Sequence, residues 1–145
     1  MKILNMILIA VFLFAGLSFA QSRQAAAVAP GTGFDSKLET DFFRAARYFV
    51  DNKTRLGLSE QQVKKILDLS KTVKAKLAKL NDDIQDLTGE INTLMWEAPM
   101  NLAETNNLVA EKYKLKQQKS EYLLKQTKEL KGILTPEQLE KYKNL

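Results

Sequence analysis

Ten positions between Val63 and Leu94 decide most of what this chain can become. Val63, Ile66, Ser70, Val73, Leu77, Leu80, Ile84, Leu87, Ile91 and Leu94 follow one another in alternating steps of three and four, without a break. Such spacing is a heptad seam, the pattern of a helix that buries one narrow stripe against a partner helix. It predicts one helix from about Glu60 to Met95, roughly 54 Å long at the rise of an α-helix. Gly89 lies within it and weakens the last turns by about 1 kcal/mol relative to Ala, without ending the helix.

The pattern stops at Trp96-Glu97-Ala98-Pro99-Met100-Asn101, where Pro99 cannot continue a helix and pushes Ala98 out of the helical region. A second long helix is expected from about Leu102 to Ile133. Its apolar set is less pure: Leu102, Val109, Tyr113, Leu123, Leu130 and Leu134 are interrupted by Lys116, Ser120 and Thr127, beside a stripe of Leu108, Leu115 and Tyr122. Two long helices joined by a short loop form an antiparallel hairpin. Ahead of them, Leu38, Phe42, Ala46, Phe49 and Val50 share one face of a shorter helix, with Ser36 and Glu39 spaced as a capping box at its start and its end near 52–57. No stretch after residue 20 alternates as a strand would. The expected fold class is all-α: a long antiparallel helical hairpin with short N-terminal and C-terminal helices, in one domain over residues 35–145.

Two helix starts are spelled alike. In Leu58-Ser59-Glu60-Gln61-Gln62-Val63, Ser59 is a cap whose oxygen accepts from the Gln62 N–H, while the Gln62 side chain reaches back to the Ser59 N–H. Leu58 and Val63 flank the cap as a hydrophobic staple. In Leu134-Thr135-Pro136-Glu137-Gln138-Leu139 the parts recur, with Pro136 at the first helical position, where its missing N–H costs nothing. In a hairpin, Leu134 ends the second arm beside Leu58 at the base of the first, so the two caps are expected to be neighbours.

The N-terminus reads as an export signal. Lys2, a mostly apolar run from Ile3 to Phe19, and small residues at Ser18 and Ala20 read as a secretory signal peptide over residues 1–20, cleaved after about Ala20. The alternative is an uncleaved anchor, since the run approaches the roughly 20 apolar residues that span a bilayer. Residues 21–34 are small, polar and punctuated by Pro30, Gly31 and Gly33, the composition of a disordered leader. The chain has no Cys, so neither disulfides nor a thiolate metal site contributes, and helix packing must supply the stability. Its formal net charge of +5 ordinarily raises nucleic acid as a partner. Export argues against that, and favours acidic or unfolded polypeptides or an anionic membrane surface.

The paired "LSEQQ" and "LTPEQ" stretches, separated by a long helical hairpin and preceded by a signal peptide, resemble the paired LTxxQ motifs of the Spy/CpxP family of small periplasmic proteins. The resemblance covers residues 35–145, with Ser59 in place of the usual Thr. It implies a curved antiparallel homodimer in the periplasm that acts as an ATP-independent chaperone or envelope-stress adaptor for unfolded or misfolded polypeptides. Two other branches of the resemblance stay open: a modulator of a membrane sensor kinase, and a metal-responsive resistance or sensor protein. The metal branch binds largely through His, with Cys or carboxylates in some members. Absence of His and Cys removes its preferred ligands, whereas the proline-free run from residue 60 to 95 looks more like that branch.

Charge points to a dimer on other grounds. Residues 59–80 carry six Lys and two acidic residues, and residues 81–100 carry five acidic residues and no basic one. Residues 101–111 add two acids, and residues 112–131 seven Lys and two acids. Folding into a hairpin gathers about minus seven at the turn and plus nine at the open end. Two hairpins laid parallel repel at both ends; laid antiparallel, each acidic tip meets a basic base, and complementary fields fix orientation.

Candidate binding residues fall in two groups. Phe42, Phe43, Tyr48 and Phe49, with Arg44 and Arg47 between them, make the first helix aromatic and basic. One face cannot bury all four rings, because Phe43 and Tyr48 diverge from Phe42 and Phe49. An apolar patch rimmed by Arg suits non-specific holding of unfolded chains. Met95, Trp96 and Met100 bracket the hairpin turn, either as an adaptable binding surface or with Trp96 capping the core there. Asp82, Asp86 and Glu90 share one helical face next to Asp83. A hard cation needs six or more oxygens wrapped around it, which a straight helix face does not supply. No nucleophile–base pair, phosphate loop or acid dyad is evident, so neither catalysis nor a cofactor is expected.

Overall fold

A computed structural model describes residues 33–144, in which there are five helices and no strand. The expected signal peptide and the leader up to residue 32 lie outside the described residues. α1 spans Phe34–Asp51, α2 Lys53–Leu56, α3 Glu60–Met95, α4 Leu102–Gly132 and α5 Pro136–Lys143. Among the described residues no helix is long and apolar enough to cross a membrane.

α3 begins and ends where its seam predicts. Ser59 Oγ accepts the Gln62 N–H at 3.2 Å, and Gln62 Oε1 accepts the Ser59 N–H at 2.9 Å. Val63, Ile66, Val73, Leu77, Leu80 and Ile91 are buried along the seam. Asn101 opens α4 by accepting the Glu104 N–H at 3.2 Å, and α4 returns along α3 to form the hairpin. Thr135 caps α5 as Ser59 caps α3, with Pro136 at the first helical position. The two caps meet at the base of the hairpin, where Gln62 Nε2 donates to Gln138 Oε1 at 2.8 Å. Gly57 closes α2 with φ of 70°, a left-handed conformation that costs glycine little.

α1 packs on both arms but covers only half of the hairpin. It runs from the middle, where Glu39 meets Lys119 on α4, to the base, where Phe49 stacks edge-on against Tyr142 of α5 with ring centroids 4.9 Å apart. Phe42, Ala46, Phe49, Leu56, Ile66, Val73, Leu77, Leu123, Leu130 and Leu134 form one core. Burying each of the larger side chains contributes about 1.5–3 kcal/mol. Toward the turn the hairpin has two layers only, and Ile84, Leu87, Leu94, Leu108 and Val109 are half-buried.

Three expectations are corrected. Phe34, assigned to the leader, begins α1, and Ser36 is no cap: the N-cap is Gly33, without a side-chain bond. Ser36 lies inside the helix, where its carbonyl accepts from Thr40 Oγ1, and Glu39 turns inward to Lys119 instead. Leu102 and Tyr113 are 59% and 67% exposed and do not belong to the packed face of α4. Their places are taken by polar residues: Thr105, Lys119 and Gln126 are buried there beside Leu123 and Leu130. Lys119 is the reason such a face can pack. Its ammonium donates to Asn81 Oδ1 at 2.8 Å and lies 2.7 Å from Glu39 Oε2, so one side chain ties α4 to α3 and α1. Among the described residues no buried side-chain nitrogen or oxygen lacks a partner.

Candidate functional site

The aromatic residues of α1 divide by direction. Phe42 and Phe49 are each 1% exposed and belong to the core. As contact residues for a bound polypeptide they are therefore withdrawn, because a ring enclosed by its own fold offers no surface. Phe43 and Tyr48 are half-buried and face different neighbours. Tyr48 leans edge-on against Tyr142 at 5.4 Å, toward α5. Phe43 stands edge-on to Phe42 at 5.2 Å and turns its outer side toward α3.

There it forms a groove with Ala46, Arg47, Val50 and Asp51 of α1 and with Leu67 and Ser70 of α3, enclosing about 340 Å³. Its walls are apolar and its rim is charged. Leu67 is 53% exposed on the groove wall. Arg47 is held by Asp51 one turn on, Nε to Oδ2 at 3.3 Å, and Arg44 pairs with Asp41 one turn back. These exposed pairs contribute little stability; they fix where the guanidinium groups stand. Hydrogen bonding by Lys37, with the charges of Lys37 and Arg44, holds the Asp41 carboxyl below its usual range.

Met95, Trp96 and Met100 stand at the opposite end of the hairpin, 52%, 88% and 45% exposed. Trp96 is the C-cap residue of α3, outside the packed layer, and does not cover the end of the core. The expected binding residues thus form two apolar surfaces rather than one. Leu67 and Met95 are separated along α3 by about 42 Å.

Between the arms near the turn lies a wider open groove, lined by Thr88, Asn92, Leu94, Glu104 and Leu108 among others. Asp86 and Glu90 stand at its edge. Asp82, Asp86 and Glu90 are exposed along α3, and among the described residues no three His, Cys, Asp or Glu side chains converge as metal ligands would.

Leu67 was absent from the binding residues expected from sequence. A signal existed: it is a large apolar residue one step past the seam position Ile66. The importance of Lys119 was equally hidden, since its place on the packed face shows only by counting in sevens to Gln126 or in fours to Leu123.

No family model, curated protein or solved structure matches this chain.

Proposed function

We propose that this chain is an exported, ATP-independent holder of unfolded or misfolded polypeptides, working in the periplasm as an antiparallel homodimer of the Spy/CpxP kind. The observation that carries this reading is the groove of Phe43, Val50 and Leu67 rimmed by Arg47: apolar surface left accessible on an otherwise well-packed helical scaffold. Leu67 is exposed and Phe43 and Val50 beside it are half-buried, which leaves a small apolar surface that another chain can cover. Long cationic side chains at the rim lengthen the reach of first capture.

A second apolar surface at the turn, Met95, Trp96 and Met100, supports the same reading, because thioethers and indoles adapt to irregular partners. The chain has no His and no Cys to serve as base, nucleophile or transition-metal ligand, which favours binding over catalysis. A carboxylate metal site has less support, since the acids of α3 are spread along an open face.

Suppression of aggregation tests the proposal. At stoichiometric amounts and without nucleotide, the purified protein should keep an unrelated denatured protein from scattering light. Unimpeded aggregation of several unrelated substrates would leave a dedicated partner, such as a membrane sensor kinase, as the better reading.

A further inference from the structure

We infer that the open groove between α3 and α4 near the turn receives the chain's own leader, residues 21–32, laid as a strap ahead of α1. The inference rests on the export reading above only in taking residue 21 as the free amino end. It leaves the groove of Phe43 and Leu67 open to a held polypeptide.

α1 stops where this groove begins. Glu39 meets Lys119, which bonds to Asn81, and Phe34 is five residues nearer the turn, about 7 Å along the helix. Gln85, the first residue of the groove, is four past Asn81, about 6 Å in the same direction. The groove also continues the face that α1 covers nearer the base. Thr88 follows Leu67 and Asn81, both on the α1 side, in multiples of seven along α3, and Leu108 is three turns before Lys119 on α4. A chain leaving α1 at Gly33 therefore meets the groove without crossing either arm. Thr32 back to Pro30 supplies a tether of about 10 Å, and Ala25 to Ala29 then spans about 13 Å when extended. From Gln85 to Asn92 is about 10 Å.

The chemistry of groove and leader is complementary. Residues 81–111 carry seven acidic residues and no basic one, and among the described residues none of these acids has an ion-pair partner. Arg23 is the one charged residue of the leader. Opposite charge of this kind selects a partner and its direction. Gln85 and Asn92 are exposed on the groove wall, with amides able to pair with the peptide groups of an extended chain. Between them, Gly89 leaves space that no described residue uses, since a Cβ there meets nothing within 4 Å. The helix gives up about 1 kcal/mol for glycine over alanine, and the space admits a second backbone closely. Four alanines and Val28 give the leader side chains small enough for such an approach. Attachment at the mouth of the groove adds an effective concentration that a separate chain lacks. A polypeptide entering at this end must displace the leader first.

The absence of Cys lets introduced thiols report on single pairs. The protein is purified as exported and its amino end fixed by mass. Ala27→Cys with Asn92→Cys is expected to close a disulfide within one chain under mild oxidation, and Ala27→Cys with Tyr113→Cys to stay open. Tyr113 is exposed on another face of α4, about 9 Å nearer the turn than Lys119 and within reach of an undocked leader. Separately, deletion of residues 21–32, or Arg23→Glu, should speed hydrogen exchange several-fold at residues 84–94 and 105–112 and leave 62–77 unchanged. Equal closure with both partners, or exchange indifferent to the deletion, overturns the inference. A disulfide formed only between chains makes a second copy the source of the strap, and exchange slowed only by added denatured protein makes a held polypeptide the occupant; either overturns it. Retention of residues 1–20, seen by mass, or failure to suppress aggregation counts against the export or the holder reading alone, because cross-link and exchange judge the strap without either.

Discussion

Gln62 and Gln138, 76 positions apart, hold each other in a local two-fold arrangement: each Nε2 donates to the other's Oε1, at 2.8 and 3.3 Å. Each Nε2 also donates to the carbonyl two residues before the other's cap, Gln62 to Ile133 O and Gln138 to Gly57 O, both at 2.8 Å. Each Oε1 accepts the N–H of its own cap residue at 2.9 Å. The demands on the side chain are a donor pair and an acceptor together, which only an amide meets at this length. Glu satisfies an isolated capping box equally well. The choice of Gln in both copies therefore belongs to the contact between the caps.

Gln62→Glu retains the box and loses the donor to Ile133, leaving two acceptors face to face. A cost of about 1–3 kcal/mol is expected from the unpaired groups. The double variant Gln62→Glu, Gln138→Glu sets two carboxylates together, and its deficit should shrink as pH falls toward 4 and one is neutralised. Denaturant melts at two pH values check this; a pH-independent deficit would speak against direct contact between the two side chains. Ser59→Ala and Thr135→Ala lose one cap bond each and should cost about 1 kcal/mol, with polypeptide holding unchanged.

Lys119 is 4% exposed, and its partner Glu39 keeps part of its surface in water. Lys119→Met replaces the buried ammonium by a side chain of similar volume, and buried ion pairs so replaced are often neutral or gain stability. Glu39→Ala leaves the charge buried with Asn81 alone. Its loss should exceed that of Lys119→Met by about 1–3 kcal/mol. Equal losses in chemical denaturation would assign the pair no more than a surface role.

Phe43→Ala with Arg47→Ala should weaken polypeptide holding while far-ultraviolet circular dichroism stays unchanged, since both side chains stand at the groove. Phe42→Ala should instead cost about 3–5 kcal/mol of stability, the usual effect of emptying a core site. Undiminished holding by the Phe43, Arg47 variant would move the binding surface elsewhere.

With no His and no Cys, the thermal midpoint should be nearly flat between about pH 5 and 9, where no side chain of ordinary pKa titrates. Below that window it should fall. Asp41, lowered by its hydrogen bond from Lys37, and Glu137, lowered by its bond from the Thr135 hydroxyl, hold a proton less readily folded than unfolded. Their contribution is complete above the unfolded pKa and is lost as pH drops through the folded one. At the alkaline side Tyr122 acts oppositely. Burial, and then the charge of Glu129, raise its pKa, so the folded chain favours the neutral phenol and stability is lost as pH rises past about 10. Calorimetry across the range checks both limbs, and a sharp drop between about pH 6 and 8 would contradict this account.

The parts of the fold that were legible in sequence are those where one local signal suffices. The uninterrupted seam and the Ser59 cap delimit α3 as Glu60–Met95, and the two boxes anticipate their own contact at the base. α4 was harder because its packed face uses Lys119 and Gln126, polar residues made acceptable by Asn81 and Glu39 on other helices. No local pattern carries that information. The Ser36 box failed for a related reason: Glu39 had a better partner across the fold than at its own helix end. At the candidate site the inward turn of Phe42 and Phe49 followed from helical spacing. The exposure of Trp96 and the pairing of Phe43 with Leu67 depend on how helices lie side by side, which spacing along one helix does not encode.

The coverage of only half the hairpin by α1 has a mechanical consequence. The molecule is riveted at its base by three helices and the interlocked caps, whereas its turn half is two helices held by partly wetted apolar contacts and the connecting residues 96–101. Opening free energies follow such differences in burial. Amide hydrogens of residues 84–94 and 105–112 should therefore exchange faster than those of 62–77 and 119–130. The turn half can then fray and re-form while the base stays folded, so local opening there does not need the unfolding of the whole.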